Sequence, residues 1–284
     1  MLSPGGPAVS PTTSTTTSAP TTVPLPPPPY QVMTTTVGLV DPTRPTVSRG
    51  VAVSSSRALT TVVWYPAVGN GWPLLVLAPG FRSGPDTYAH LGRAWAAAGY
   101  VVAAPEFPLA DPAVAGPALD ENDLNNEPGD VTFVIASLID PGRPISSQID
   151  QARIGVAGHS DGAEVALAVA QRRDSTIKAV IAMAGQPVVP RLPVSPPLLV
   201  LQGDHDTINP PERGRAVYQQ AADPRFLLTL VGGSHLGPFS GGSKWQPVVE
   251  AVTVDFLNHY LAGATASDAQ LQADATHPGV SHLG

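Results

Sequence analysis

The stretch Ile154-Gly155-Val156-Ala157-Gly158-His159-Ser160-Asp161-Gly162-Ala163 constrains the fold of this chain more than any other. A short apolar run passes through Gly-x-Ser-x-Gly straight into a helix-forming segment. Such a strand, sharp turn and helix holds the residue at its apex in a strained backbone conformation and pushes that side chain out of the sheet. Gly158 and Gly162 flank Ser160 because a Cβ at either position would collide with the neighbouring strand or helix. Ser160 Oγ is thereby left free to meet a base. The five-residue pattern is weak alone; the strand before it and the helix after it give it weight.

The rest of the chain has the material for the sheet that such a turn requires. At 284 residues with 43% hydrophobic content, one large α/β domain with a sizeable core fits best. Charged residues make up only 13%, about half the usual share. A net charge of -7 offers no basic surface for a phosphate backbone, which argues against nucleic acid as a partner. No apolar run approaches the roughly 20 residues that span a bilayer. The absence of cysteine excludes disulfides, thiolate catalysis and cysteine-based metal sites, and leaves the redox compartment open.

The first 30 residues differ in composition. Residues 10–29 are almost entirely Pro, Thr, Ser, Ala and Val and end in Pro26-Pro27-Pro28-Pro29. So little apolar surface cannot offset the entropy of ordering, and the expectation for residues 1–30 is a disordered, partly polyproline-like tether. Met1-Leu2-Ser3-Pro4 has neither the basic start nor the apolar core of an export signal, so export or attachment to the cell envelope is expected from the stalk composition alone. The alternative is a solvated tail of no particular role.

From Tyr30 onward, strands and helices alternate. Strands are predicted over 58–65, 74–78, 100–104, 153–157, 179–184, 198–201 and 226–231, the last of the series. Helices are predicted over 87–98, 130–139, 161–173, 211–221 and 246–261, the final one with Val249, Val252, Phe256 and Tyr260 at helical spacing. Short, wholly apolar strands such as Leu74-Leu75-Val76-Leu77-Ala78 suit a sheet buried on both faces. The expected fold class is α/β: a mostly parallel, doubly wound sheet flanked by helices, in a single domain over 31–262. Residues 263–284, small and polar, read as a loose tail. The 110–126 connection is long and Pro/Ala/Asp-rich, a candidate cover for part of a pocket.

A serine hydroxyl is a poor nucleophile until a base takes its proton, and a third group must orient that base. With a serine elbow the partners follow as acid and then His, each after a later strand. Of seven histidines only His235 sits just after the last predicted strand, in Val231-Gly232-Gly233-Ser234-His235. His90 and His259 fall in helices, His277 and His282 in the tail, and His159 is better suited to packing or local hydrogen bonding. The acid lies in Gly203-Asp204-His205-Asp206-Thr207-Ile208-Asn209-Pro210. Asp206, further into the loop, is the better candidate, with Asp204 as a loop residue that binds backbone amides. Oxyanion donors are expected from the amide of Asp161 and from the Pro79-Gly80-Phe81-Arg82-Ser83-Gly84 loop, through the Phe81 amide. The Phe81 ring would then wall the acyl side of the pocket; its alternative is an ordinary buried aromatic.

Over nearly all of 31–262 these motifs resemble the α/β-hydrolase superfamily, and within it the branch of dienelactone-hydrolase-like esterases, platelet-activating-factor acetylhydrolases, chlorophyllases and cutinase-type polyester hydrolases. The matching residues are Pro79-Gly80-Phe81, Gly158-His159-Ser160-Asp161-Gly162, Asp206-Thr207-Ile208-Asn209-Pro210 and Gly233-Ser234-His235. The resemblance implies a Ser160–Asp206–His235 triad with oxyanion amides at Phe81 and Asp161. Polyester hydrolases of this branch usually carry a tryptophan in the loop that here reads Gly185-Gln186-Pro187-Val188-Val189-Pro190, and Asp161 stands where Met, Gln, Phe or Arg is common. Both departures weigh against polymer cleavage.

The reading is a serine carboxylic-ester hydrolase that works through an acyl-enzyme, with no metal or organic cofactor. Its substrate would be a small-molecule, lipid or polymer ester. The alternatives are a polyester or lipid-acetyl hydrolase of the same fold, attack on a thioester, amide or activated lactone, and a non-catalytic binding domain that keeps the fold.

Overall fold

A computed structural model describes residue 1 and residues 28–172, 175–188, 194–264 and 268–284. All but the last three residues of the segment read as an N-terminal tether, Met1 aside, lie outside the described residues. The centre of the molecule is a nine-stranded sheet. Its strands, in chain order, are β1 (Val32–Val37), β2 (Thr61–Pro66), β3 (Trp72–Ala78), β4 (Val101–Pro105), β5 (Ile149–His159), β6 (Ile177–Met183), β7 (Leu198–Gly203), β8 (Arg225–Leu230) and β9 (Ser281–Leu283). They lie in the order β1-β2-β4-β3-β5-β6-β7-β8-β9. From β4 to β8 every pairing is parallel, while β1, β2 and β9 join antiparallel at the two ends.

Parallel neighbours must be linked by crossovers, and the crossovers here place helices on both faces. The helices are α1 (Ala89–Ala97), α2 (Glu127–Ile139), α3 (Asp161–Ala170), α4 (Pro211–Gln220), α5 (Gln246–Tyr260) and α6 (Asp268–Ala275). Alternation along β3 divides the core. Leu74, Val76 and Ala78 pack with Val131, Val134 and Leu138 of α2 and Val165 and Val169 of α3. Leu75 and Leu77 pack on the opposite side with Leu91 and Trp95 of α1 and Val249, Val252 and Phe256 of α5. Burying each such aliphatic side chain is worth about 1.5–3 kcal/mol, so both faces are needed to hold the sheet. On the second face, Trp95 Nε1 donates to Thr253 Oγ1 at 2.8 Å and locks α1 to α5.

Two expectations need correction. The tail is not loose, and the strand over 226–231 is not the last. Residues 268–275 form α6, whose Leu271 and Ala275 are buried in the core. Beyond it, β9 pairs with β8 through Leu228↔Leu283, Thr229↔His282 and Leu230↔Ser281. The physical reason is the exposed edge of β8, which gains a partner for its backbone groups when the chain returns. The 110–126 connection also differs from expectation. It folds into a one-turn helix at Pro112–Ala115 capped by Asp111 and a 3₁₀ turn at Glu121–Asn125 capped by Asp120. Asp120 also accepts from the Arg49 amide at 2.7 Å, which ties the segment to the turn of the hairpin that pairs Thr46–Ser48 with Val51–Ser54. None of its residues lines the cleft described next.

Candidate active site

Strand β5 ends at His159 and α3 starts at Asp161, so one residue makes the whole turn. Ser160 does so at φ 56 and ψ -124, a left-handed conformation that costs a non-glycine residue of order 1–3 kcal/mol. Surrounding contacts hold it there. The Ser160 amide donates to the Met183 carbonyl of β6 at 2.9 Å, and the Ala163 amide returns to the Ser160 carbonyl at 2.9 Å. A Cβ at Gly158 would strike the Gly162 carbonyl, and one at Gly162 would strike the carbonyls of Ala78 and Pro79. Only glycine at both positions lets β5, α3 and the end of β3 come this close.

The loops after β7 and β8 meet beside the elbow. Asp204 Oδ1 accepts the Gly232 amide at 2.6 Å, and the His205 amide donates to the Gly233 carbonyl at 3.0 Å. Asp206 turns the other way and is buried. Its Oδ1 accepts the amides of Ile208 and Asn209, each at 2.9 Å, while Oδ2 accepts His235 Nδ1 at 2.8 Å and Gln202 Nε2 at 3.2 Å. With Nδ1 donating, a neutral His235 has a bare Nε2 with which to accept a proton. Asn209 in turn donates to the Ala184 carbonyl at 2.7 Å, which ties the acid loop to the end of β6.

Ser160 and His235 line one open cleft of about 400 Å³, together with Phe81, Tyr88, His159, Thr207, Ile208 and Leu236. Among the described residues, neither the Phe81 nor the Asp161 amide is engaged by another backbone group, although the next two amides are: Arg82 donates to the Ala110 carbonyl at 2.8 Å and Ser83 to the Gly80 carbonyl at 3.1 Å. The Phe81 ring is half-buried. It lines the cleft and also packs against the core. The cleft edge is apolar and open: Ile208 is 63% exposed and Leu236 40%. Burial raises the pKa of the half-buried Asp161 carboxyl, and the charge of Glu121 adds to the shift. Burial likewise lifts Glu164, one turn further along α3, to about 7.

Three polar residues of the site, His159, Gln202 and Tyr88, were not singled out from the sequence as parts of it. His159 is buried between the Tyr88, His235 and Phe239 rings. Its Nδ1 lies 2.8 Å from Tyr88 Oη and its Nε2 2.9 Å from the His235 carbonyl. Gln202, the penultimate residue of β7, bridges Asp206 to the Asn209 carbonyl. The pattern of the sequence carries no signal for Tyr88, which reaches His159 across 71 positions.

A serine raised on a strained elbow after β5, with Asp206 on the loop after β7 paired to His235 on the loop after β8, occurs in a sheet of strand order β1-β2-β4-β3-β5-β6-β7-β8-β9. That combination defines an α/β hydrolase, as the resemblance implied. The chain belongs to the PET hydrolase-like family, which its residues 19–276 match. It is therefore an enzyme that hydrolyses ester bonds. Comparison with curated proteins finds no match.

Proposed function

We propose that the chain is a serine carboxylic-ester hydrolase in which Ser160 is the nucleophile, His235 the base and Asp206 the group that orients it. The observation that carries this reading is the 2.8 Å bond from His235 Nδ1 to Asp206 beside the cleft that holds Ser160. Ser160 Oγ attacks the ester carbonyl carbon and its proton passes to His235 Nε2. The carbonyl oxygen becomes an oxyanion, held by the amides of Phe81 and Asp161. Collapse expels the alcohol, which takes the proton from His235 and leaves an acyl-Ser160 ester. Water repeats the sequence, giving up its proton to His235 and releasing the acid. An oxyanion contact of this kind is worth about 10²–10³ in rate.

Small esters are the first reading of the substrate. Polyester is the second, favoured by the family match and by the exposed apolar edge of Ile208 and Leu236. The Thr/Pro-rich segment before residue 30 supports an exported or envelope-attached enzyme. A panel of p-nitrophenyl esters of rising acyl length, together with a polyester film, tests the reading. Turnover is expected on the short esters and should fall by about 10⁴-fold or more in Ser160→Ala, with an unchanged melting temperature. A Ser160→Ala protein that keeps a sizeable part of the wild-type kcat would overturn it.

A further inference from the structure

We propose that His159 and Tyr88 form a positioning relay for the His235 loop, with Tyr88 holding His159 as the Nε2–H tautomer so that it donates to the His235 carbonyl. The proposal rests on the reading of His235 as the base. Its first step is a matter of valence. A backbone carbonyl can only accept, so the His159 nitrogen 2.9 Å from the His235 carbonyl must carry the hydrogen. In a neutral ring Nδ1 is then bare, and the Tyr88 hydroxyl at 2.8 Å must donate to it. Burial pushes the pKa of His159 down to about 4, with the charge of His235 contributing, so the neutral form holds at neutral pH.

The neutral charge is what the site requires. The two imidazole centroids are 4.8 Å apart. A cationic His159 would oppose the imidazolium that His235 becomes when it takes the Ser160 proton. A neutral donor fixes the loop without that cost. Tyr88 is fully buried, where a hydroxyl is costly unless bonded and where Phe would fill nearly the same volume. With its hydrogen on His159, the Tyr88 oxygen accepts the Gly80 amide at 3.5 Å, while Ser83 Oγ, 3.1 Å away, gives its own hydrogen to the Gly80 carbonyl at 2.7 Å. A Cβ on Gly80 would lie 2.8 Å from the His159 carbonyl, so this turn is seated directly on the elbow. One hydroxyl thus connects the loop that bears the Phe81 amide, the residue before Ser160, and the backbone of His235.

The test compares Tyr88→Phe, His159→Leu and His159→Gln with the wild type, using kcat, KM and melting temperature on a soluble ester. Tyr88→Phe and His159→Leu should lose about 10- to 100-fold in kcat, because a base displaced by a fraction of an ångström transfers protons poorly. For Tyr88→Phe, KM should stay within about threefold, since the ring that lines the cleft is kept and only the hydroxyl is lost. His159→Gln, whose amide nitrogen reaches as far as Nε2, should recover part of the loss. If Tyr88→Phe and His159→Leu fold and keep wild-type kcat while Ser160→Ala is inactive, the relay is wrong and the site reading stands. An active Ser160→Ala would instead remove the site reading itself. Imidazole ¹⁵N shifts of the wild-type protein give a readout that needs no variant: His159 should show a protonated Nε2 and a bare Nδ1 at neutral pH. The opposite tautomer, or a His159 cation there, would overturn the relay.

Discussion

Asp204 and Asp206 follow the same strand two positions apart, and their side chains do different things. Asp204 stitches the Gly232 amide into place, whereas Asp206 meets His235 Nδ1 and two backbone amides of its own loop. Asp206→Asn should therefore lower kcat/KM by about 10⁴-fold, since an amide in that position favours the wrong His235 tautomer. Asp204→Asn should cost well under a tenth of that and act through stability. Steady-state kinetics of both variants decide it, and the reverse order would exchange their roles. That Ser160, Asp206 and His235 meet at one end of the sheet was legible because each follows a strand and their order along the chain is restricted. Tyr88 and His159 were not. Their bond depends on the distance between two loops, which no local pattern records.

At the scale of elements, strand and helix alternation was legible from short apolar runs and from helical spacing in α5. The C-terminal strand was not, because Ser281-His282-Leu283 is too short to show a period and forms only against the edge of β8. Another unread feature is the anchor of the N-terminal ribbon, where Val40–Asp41 pairs with Arg57–Ala58. Arg57, only 1% exposed, donates Nε to Asp130 Oδ1 at 2.7 Å and Nη1 to Asp123 Oδ1 at 3.0 Å, and its Nη2 reaches a second oxygen of each. These bonds fasten the ribbon to α2 and the turn before it. Removing the guanidinium would leave buried Asp123 without its cation and Asp130 with only Arg44, so Arg57→Ala should destabilise the protein by about 3–5 kcal/mol. Denaturant unfolding measures it; a loss below about 1 kcal/mol would mean that water replaces the pair.

For the whole molecule, the same cluster predicts how stability varies with pH. Glu127, 2% exposed, sits beside Asp123 and Asp130, and its carboxyl is held well above the usual range, first by burial and then by those neighbours and Asp161. The folded protein thus keeps a proton that the unfolded chain releases near 4.5. The stability contributed by that proton is complete below 4.5 and is lost as pH rises toward the folded-state value. Glu127→Gln keeps the shape and removes the titration. Its melting temperature should exceed that of the wild type at neutral and alkaline pH, with the advantage vanishing below 4.5; a variant less stable at every pH would contradict this.

Elbow and loops converge on the half-buried Ser160, which is proposed to carry the acyl group during turnover. The most direct measurement is the intact mass of the protein quenched in acid during steady-state hydrolysis of a slowly deacylating p-nitrophenyl ester, followed by peptide mapping. The protein should gain the mass of one acyl group, located on the peptide at Ser160 and absent from Ser160→Ala. Turnover with no adduct on Ser160 under conditions where deacylation limits the rate, or an adduct on another residue, would contradict it.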